Sequence, residues 1–143
     1  MCGITGIINY KNKSQIDSEI VDSMVELIRH RGPNSHGSYT DENVSLGSTR
    51  LSIIDLSDNG NQPMIDKKNE VVIVYNGEIY NFKDVRNLLV DRGYKFFSNT
   101  DTEVLLKSYI EWGIDCIKKF NGMFAFCIFD KQKNLTYLVR DRL

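Results

Sequence analysis

The chain has 143 residues, which is enough for one domain with a substantial buried core. It is 41% hydrophobic and 26% charged with a formal net charge of −1, so the composition favours a globular protein and gives no reason to expect nucleic acid or an anionic membrane surface as a partner. No apolar stretch approaches the roughly 20 residues that span a bilayer, and no signal peptide is visible, so we expect a cytoplasmic protein. The three cysteines (Cys2, Cys116 and Cys127) form no CxxC pair, so we expect neither a disulfide framework nor a metal site.

The first half of the chain predicts a strand, a helix and a hairpin. Residues 3–9, GITGIIN, are rich in β-branched side chains, which is typical of a strand. Apolar residues recur at helical spacing from Asp17 or Ser18 to about His30, and Gly32-Pro33 ends that helix. Residues 35–54 predict two strands around the polar turn TDEN, and residues 55–62 predict a loop.

The second half predicts a long strand, two helices and a final hairpin. Residues 71–82, VVIVYNGEIYNF, hold the strongest strand signal, which Asn76-Gly77 interrupts. One helix is predicted from Lys83 to Arg92 and another from Thr102 to Trp112, with Thr100 or Asp101 as its cap. Residues 123–130 and 135–141 predict a hairpin through the turn KQKN. Because short turns join several neighbouring strands, two sheets with helices outside fit this order better than a parallel doubly wound sheet.

Cys2 is the first candidate for a reactive residue, because only Met1 precedes it. Processing removes an initiating methionine when the next residue is small, which would leave a thiol and a free α-amine on one residue. A free thiol has a pKa of about 8.5 and an α-amino group one of about 7.7–8.0, so the amine could accept the thiol proton near neutral pH. Such a pair is an N-terminal nucleophile. The alternative is a cysteine that merely follows the start codon.

Five short motifs carry a family resemblance. They are MCGI (1–4), RHRGPNSHG (29–37), GSTRLSIIDLSDNGNQPM (47–64), YNGEIYNF (75–82) and SNTDTEVLL (98–106). In this order and at these separations they closely resemble the glutaminase domain of class II glutamine amidotransferases, and within that family the glutamine-hydrolysing asparagine synthetases match best. The resemblance runs from Met1 to the end of the chain. It implies an α+β fold, the four-layer αββα sandwich of the N-terminal nucleophile hydrolases, here without its last strands.

The resemblance also implies an enzyme. Residues 1–143 would form a glutaminase domain that hydrolyses L-glutamine to glutamate and ammonia through a thioester on Cys2. We expect this domain to be incomplete at its C-terminus, because relatives continue with further strands and an ATP-using synthetase domain, and no SGGxDS motif is present. We therefore expect no cofactor in this chain, and ATP and Mg²⁺ on a synthetase domain that activates aspartate for asparagine biosynthesis. The exposed sheet edge would favour self-association, with a homodimer as one outcome.

Two groups of residues match the catalytic machinery of the family. Cys2 corresponds to the nucleophile. Asn76 and Gly77 correspond to the oxyanion hole, which would use the asparagine side-chain amide and the glycine N–H as donors. Glycine lets the backbone approach closely, and asparagine donates without carrying charge. The simpler interpretation is that Asn76-Gly77 forms a two-residue hairpin turn.

The remaining matches concern recognition of a free amino acid. Arg50 corresponds to the arginine that binds the α-carboxylate, and its planar fork suits a bidentate contact. Glu78 and Asp101 correspond to the acidic residues that meet the α-ammonium. Backbone groups of four further residues would line the pocket: Leu51, Ser52, Ile53 and Ile54. Taken singly, Arg50 could be a surface charge and Asp101 only a helix cap.

The sequence also offers a histidine alternative and one departure from the family. His30 and His36 suggest a Cys-His dyad, but the family uses none, so RHRGP more simply predicts a structural turn near the nucleophile. Asn34 stands where relatives commonly have an acidic residue, and we expect only a local effect on loop hydrogen bonds.

Two other functions stay open: an amidotransferase that feeds a sugar in surface-polysaccharide synthesis, and a non-catalytic glutamine-binding remnant.

Overall fold

The computed structural model describes residues 2–11 and 15–142, whose strands and helices largely follow the predicted order. In chain order the strands are β1 (Gly3–Ile8), β2 (Ser35–Thr40), β3 (Val44–Arg50), β4 (Met64–Asp66), β5 (Val71–Ile79), β6 (Gly122–Asp130) and β7 (Leu135–Arg140). The α-helices are α1 (Ser18–Leu27), α2 (Phe82–Val90) and α3 (Asp101–Trp112), and 3-10 segments cover Arg29–Arg31, Asp58–Gly60 and Gly113–Lys119. Across the described ranges, no helix is both long and apolar enough to cross a lipid bilayer.

Two antiparallel sheets stack face to face, with helices on both outer sides. One sheet has the strand order β1-β3-β2 and the other β4-β5-β6-β7. Their facing sides meet in an apolar cluster built from Val44, Leu46, Val72, Val74, Cys127 and Phe129. Helix α1 packs on the three-stranded sheet, α3 packs on the four-stranded sheet, and α2 lies against α3. This layering confirms the predicted αββα architecture.

Helix α1 ends earlier than the sequence predicts. The Asp17 carboxylate caps it by accepting from the Glu19 N–H at 3.0 Å, and the apolar stripe buries Val21 and Val25. After Leu27 the chain tightens into the 3-10 segment Arg29–Arg31 instead of continuing to His30 as α-helix. The tighter segment carries the chain back to the start of β1, where Arg31 contacts Cys2 and functional residues are expected.

Strand β5 runs without interruption through Asn76-Gly77, so the predicted break and the alternative hairpin turn are wrong. The strand pairs with β6 from Val71 opposite Asp130 to Ile79 opposite Gly122. A Cβ atom on Gly77 would lie 2.4 Å from the Met123 carbonyl oxygen. The glycine therefore permits a close approach of two strands.

The start of α3 decides between the two predicted caps. Thr100 is the N-cap, and its hydroxyl accepts from the Glu103 N–H at 3.2 Å. Asp101 is the first helical residue, so its side chain is free for other contacts near the N-terminal end of the helix. Strand β4 was not predicted, because three residues are too few to show an alternating pattern.

Candidate functional site

A cavity of about 550 Å³ gathers most of the predicted site residues. They come from the start of β1, the end of β3, the middle of β5 and the start of α3. Those that line it are Cys2, Arg50, Leu51, Ile53, Ile54, Asn76, Gly77, Glu78 and Asp101. The volume falls within the range of small-molecule pockets.

The Cys2 thiol lies half-buried against the segment that follows β3. The Leu51 N–H points at its sulfur, with 3.4 Å between nitrogen and Sγ. The neighbouring Gly3 N–H donates to the Thr49 hydroxyl at 3.1 Å, and Arg31 Nε donates to the Cys2 carbonyl at 3.1 Å. These contacts hold the thiol at the cavity wall. The predicted removal of Met1 concerns a residue outside the described ranges.

The Arg50 guanidinium is an inward-facing cation and not a surface charge, because the residue is only 5% exposed. Its Nη1 donates to the Ser57 carbonyl at 2.9 Å and to Asn61 Oδ1 at 3.1 Å, and its Nη2 donates to the Asp55 carbonyl. All three acceptors belong to residues 55–61. A buried guanidinium that faces a cavity is suited to bind a carboxylate.

The Gly77 N–H points away from β6, as the pairing register shows. Phe124 lies opposite Gly77, but both of its backbone groups bond to Asp141 instead. The Phe124 carbonyl accepts from the Asp141 N–H at 2.9 Å, and the Phe124 N–H donates to Asp141 Oδ2 at 2.6 Å. Residues of an antiparallel strand direct their backbone groups alternately to the two sides, so Gly77 must direct its N–H to the other side of β5. Tyr75 and Ile79 do the same, and donate to Gln62 Oε1 at 2.6 Å and to Asp101 Oδ2 at 3.0 Å. The Gly77 N–H is thus available at the cavity.

Asp101 is a buried carboxylate that several donors hold in place. Its Oδ2 accepts from the Tyr75 hydroxyl at 2.6 Å and from the Ile79 N–H at 3.0 Å. Burial raises the pKa of Asp101 above its ordinary value, and these hydrogen bonds oppose the rise. Burial, and the Asp101 charge next to it, raise the pKa of Tyr75, which keeps the hydroxyl protonated as a donor. An arriving cation would compensate the cost of this buried charge.

A second buried carboxylate fixes the loop that leads into α3. Glu103 is fully buried and accepts from the Phe97 N–H at 3.1 Å and from the Ser98 N–H and hydroxyl, both at 2.7 Å. On the outer side of this loop, the Asn99 N–H donates to Asp55 Oδ2 at 2.8 Å. The loop is therefore tied both to α3 and to residues 55–61, which hold Arg50.

Ser52 is the predicted pocket residue that the structure places elsewhere. Its N–H donates to Asn34 Oδ1 at 3.0 Å, and the residue does not line the cavity. Asn34 is the position where the sequence departs from the family pattern, and its side-chain oxygen accepts this loop hydrogen bond. The neighbours Leu51 and Ile53 still face the cavity.

Neither histidine lines the cavity, so the Cys-His dyad has no geometric support. His36 Nε2 lies 3.8 Å from Glu26 Oε1 on the far side of the three-stranded sheet, and His30 is exposed in the 3-10 segment. Cys116 and Cys127 are buried thiols whose pKa burial raises to about 12. In the described part of the chain, no cluster of three or more histidine, cysteine or acidic residues could hold a metal.

Two residues of the site escaped the sequence analysis. Tyr75 orients Asp101, and Gln62 accepts the Tyr75 N–H while its own amide donates to the Thr102 hydroxyl at 3.4 Å. Both line the cavity. Each lies inside a motif that the resemblance singled out, which was the available signal.

Comparison with known families gives a match over the whole chain. A model described as a glutamine amidotransferase domain matches residues 1–143. Asparagine synthetase [glutamine-hydrolyzing] 3 of Bacillus subtilis (strain 168) is 41% identical over 145 residues, which cover 100% of this chain and 24% of that protein. A putative asparagine synthetase [glutamine-hydrolyzing] 2 of Methanocaldococcus jannaschii is 42% identical over 164 residues, covering 100% of this chain and 30% of that protein. The chain thus spans less than a third of the length of either relative.

A solved structure supports the fold alone. Glutamine phosphoribosylpyrophosphate amidotransferase from B. subtilis, complexed with ADP and GMP, superimposes with a TM-score of 0.74 at 16% sequence identity. The match covers 91% of this chain and 35% of that one. At this identity the likeness carries the arrangement of sheets and helices and nothing about individual side chains.

Proposed function

Because the chain belongs to the glutamine amidotransferase domain family, we propose that it hydrolyses L-glutamine to glutamate and ammonia, with Cys2 as the nucleophile. One observation carries the proposal. A thiol, a buried guanidinium, an available backbone N–H and two carboxylates line a single cavity (Cys2, Arg50, Gly77, Glu78 and Asp101). Each of these groups has a role in the hydrolysis of a free amino-acid amide: nucleophile, oxyanion donor, or binding of the α-carboxylate and the α-ammonium.

The chemistry would begin with attack of the Cys2 sulfur on the side-chain carbonyl carbon of glutamine. The α-amine of a processed Cys2 takes the thiol proton and passes it to the departing nitrogen. A carbon–sulfur bond forms, the carbon–nitrogen bond breaks, and ammonia leaves. Water then cleaves the thioester to give glutamate and restores the thiol. The Gly77 N–H and the Asn76 amide would donate to the oxyanion, and loss of one such donor typically costs about 2.7–4 kcal/mol.

Recognition of the amino-acid end would use opposite charges at two walls. The Arg50 guanidinium pairs with the α-carboxylate, and the Asp101 and Glu78 carboxylates meet the α-ammonium. Asp101 is suited to this role because its carboxylate is buried and lines the cavity. A buried carboxylate with a raised pKa gains the most from an arriving cation.

The destination of the ammonia is a separate part of the proposal. The two asparagine synthetases reported above are each more than three times as long as the segment they share with this chain. We infer that this domain works in the cytoplasm with an ATP- and Mg²⁺-dependent synthetase unit that activates aspartate. The three free thiols suit a reducing compartment. Asparagine formation on addition of aspartate and ATP to a form that contains the synthetase unit would test this part.

The decisive experiment is covalent labelling with 6-diazo-5-oxo-L-norleucine combined with a glutaminase assay. We expect one adduct per chain at Cys2, glutamate release from L-glutamine, and loss of both in Cys2→Ala. Cys116→Ala is the matched control, since it removes a buried thiol away from the cavity and should keep the adduct. A correctly folded chain that neither reacts nor releases glutamate would instead be a glutamine-binding remnant.

A second experiment tests the amine as the base. Intact mass should show loss of one methionine. A variant with an uncleavable N-terminal extension should keep its fold and lose glutamate release, because acylation removes the basicity of the nitrogen. Full activity with the extension in place would contradict this role.

A further inference from the structure

The loop of residues 55–61 surrounds the Arg50 guanidinium and accepts hydrogen bonds from all but two of its N–H groups. A guanidinium carries five N–H groups. Nη1 donates twice, to Ser57 and Asn61, and Nη2 donates once, to Asp55. In the part of the chain that the structure describes, no acceptor takes the Nε–H or the second Nη2–H. Two donors are the number that a bidentate contact with one carboxylate requires.

Gly60 supplies the space in which the guanidinium lies. A Cβ atom on this residue would be 2.1 Å from Arg50 Nη2, 2.6 Å from Arg50 Cζ and 2.8 Å from Thr100 Cγ2. Such distances are far below van der Waals contact, so a side chain at this position and the guanidinium in its present position exclude each other. Gly60 is not among the glycines with positive φ, so its backbone conformation does not demand glycine. The requirement comes from the neighbouring side chains, and the closest atoms belong to the guanidinium.

The surrounding loop is anchored independently of Arg50. Asn61 Oδ1 also accepts from the Ser35 hydroxyl at 2.8 Å, and Asn61 Nδ2 donates to Asp58 Oδ1 at 3.1 Å. The Asp55 carboxylate accepts from the Ser57 N–H at 2.9 Å and from the Asn99 N–H at 2.8 Å. With the loop held at both ends, a clash at Gly60 would be relieved by movement of the long arginine side chain.

We propose that Gly60 is a positioning residue for the carboxylate anchor: its missing side chain fixes the place and direction of the Arg50 guanidinium. This inference rests on the proposed function and adds a determinant of substrate affinity outside the residues that contact substrate. It explains why a glycine without special backbone geometry lies buried beside a cation.

The test is the kinetics of Gly60→Ala with two substrates. For L-glutamine we expect KM to rise about 10- to 100-fold with kcat within about threefold, as is typical when a hydrogen-bonded charge pair is lost from both ground and transition states. For the α-amide of glutamine, which has no carboxylate, kcat/KM should be equal in the two proteins. A general loosening of the fold would lower both.

Two further variants separate the guanidinium from the loop. Asn59→Ala is the matched control on the same 3-10 segment, because Asn59 donates to the Phe97 carbonyl at 3.0 Å and makes no hydrogen bond to Arg50. It should leave the glutamine KM within about twofold. In an Arg50→Lys background, Gly60→Ala should raise the glutamine KM far less than in the unsubstituted chain, since the guanidinium that it displaces is gone and only the contact with Thr100 Cγ2 remains. An unchanged KM in Gly60→Ala, or equal losses with the α-amide, would overturn the proposal.

Calorimetric binding of L-glutamine to the Cys2→Ala chain distinguishes the two proposals. If the unsubstituted chain releases no glutamate but Gly60→Ala still weakens binding in the Cys2→Ala background, hydrolysis fails and the role of Gly60 stands. If glutamate is released and Gly60→Ala weakens neither binding nor KM, the proposed function stands and the role of Gly60 fails.

Discussion

Replacement of Tyr75 by phenylalanine tests how the buried Asp101 carboxylate is held. The hydroxyl donates to Asp101 Oδ2 at 2.6 Å, and the two residues are 2% and 5% exposed, so this hydrogen bond is largely shielded from bulk water. A hydrogen bond to a charged group is worth about 1.5–3 kcal/mol. We expect the free energy of unfolding to fall by that amount, which lowers Tm by roughly 3–12 °C in a chain of this size.

The loss should depend on pH. Burial raises the pKa of Asp101, so the stability associated with its protonated form is fully present below the unfolded pKa of about 3.9 and is lost as pH rises through the folded pKa. Removal of a donor to the charged form raises the pKa of Asp101 further. The stability difference between the two proteins should therefore be small in acid and grow towards neutral pH. The acidic limb of kcat/KM for L-glutamine should move to higher pH, because Asp101 must be charged to meet an ammonium.

Tyr109→Phe is the matched control. Tyr109 is also 2% exposed, belongs to the same core cluster and donates to a buried carboxylate, Asp130 Oδ2, at 2.8 Å, but it does not line the cavity. Urea unfolding should show a loss of stability in both variants, and the pH profile of kcat/KM should move in Tyr75→Phe alone. If the profile is unchanged in Tyr75→Phe, or moves equally in both, Asp101 does not bind the ammonium in the way described.

Three further outcomes follow from contacts in the structure. Gly77→Ala should lose about 1–3 kcal/mol of stability, because its Cβ would meet backbone atoms of β6 that have little room to move; an unchanged urea midpoint would refute this close approach. Iodoacetamide should modify Cys2 in the folded chain but not Cys116 or Cys127, whose pKa burial raises to about 12, and alkylation of either buried thiol before unfolding would contradict the packing. Hydrogen bonds from the Asn99 N–H and from the Ser57 hydroxyl and N–H lower the pKa of Asp55 to about 2. The contribution of Asp55 to stability should therefore be present above the unfolded pKa of about 3.9 and lost as pH falls through about 2. An NMR titration midpoint near 4 for Asp55 would exclude those hydrogen bonds.

Much of the fold could be predicted because local signals and tertiary packing agree. The apolar stripe that buries Val21 and Val25 predicted α1, and short polar turns predicted the β2–β3 and β6–β7 hairpins. The error at Asn76-Gly77 shows where this agreement ends. That dipeptide favours a turn on local grounds, but the nearby β6 backbone makes glycine necessary within a strand.

The sequence allowed a prediction of which residues line the site, but not of the contacts that orient their side chains. Motif resemblance identified Arg50 and Asp101 among its residues, yet neither spacing nor composition reveals the groups that orient them. The guanidinium depends on a loop that returns to it from residues 55–61, and the carboxylate depends on Tyr75 from another strand. The resemblance placed Ser52 in the pocket together with its neighbours, but its N–H donates to Asn34 and the residue does not line the cavity.

The position of Leu51 next to Arg50 has a consequence for the length of substrate that fits. Leu51 contacts the Cys2 sulfur, while Arg50 is held by the loop that follows it, so a single stretch of twelve residues, 50–61, links the two groups. For an amino-acid amide, this stretch would determine which side-chain length reaches from the guanidinium to the sulfur. Under the proposed function, asparagine is one methylene shorter than the substrate, and we expect this difference to cost about 1–3 kcal/mol of discrimination in a fitted pocket. Discrimination against asparagine then needs no dedicated repelling group, and the ratio of the two hydrolysis rates measures it directly.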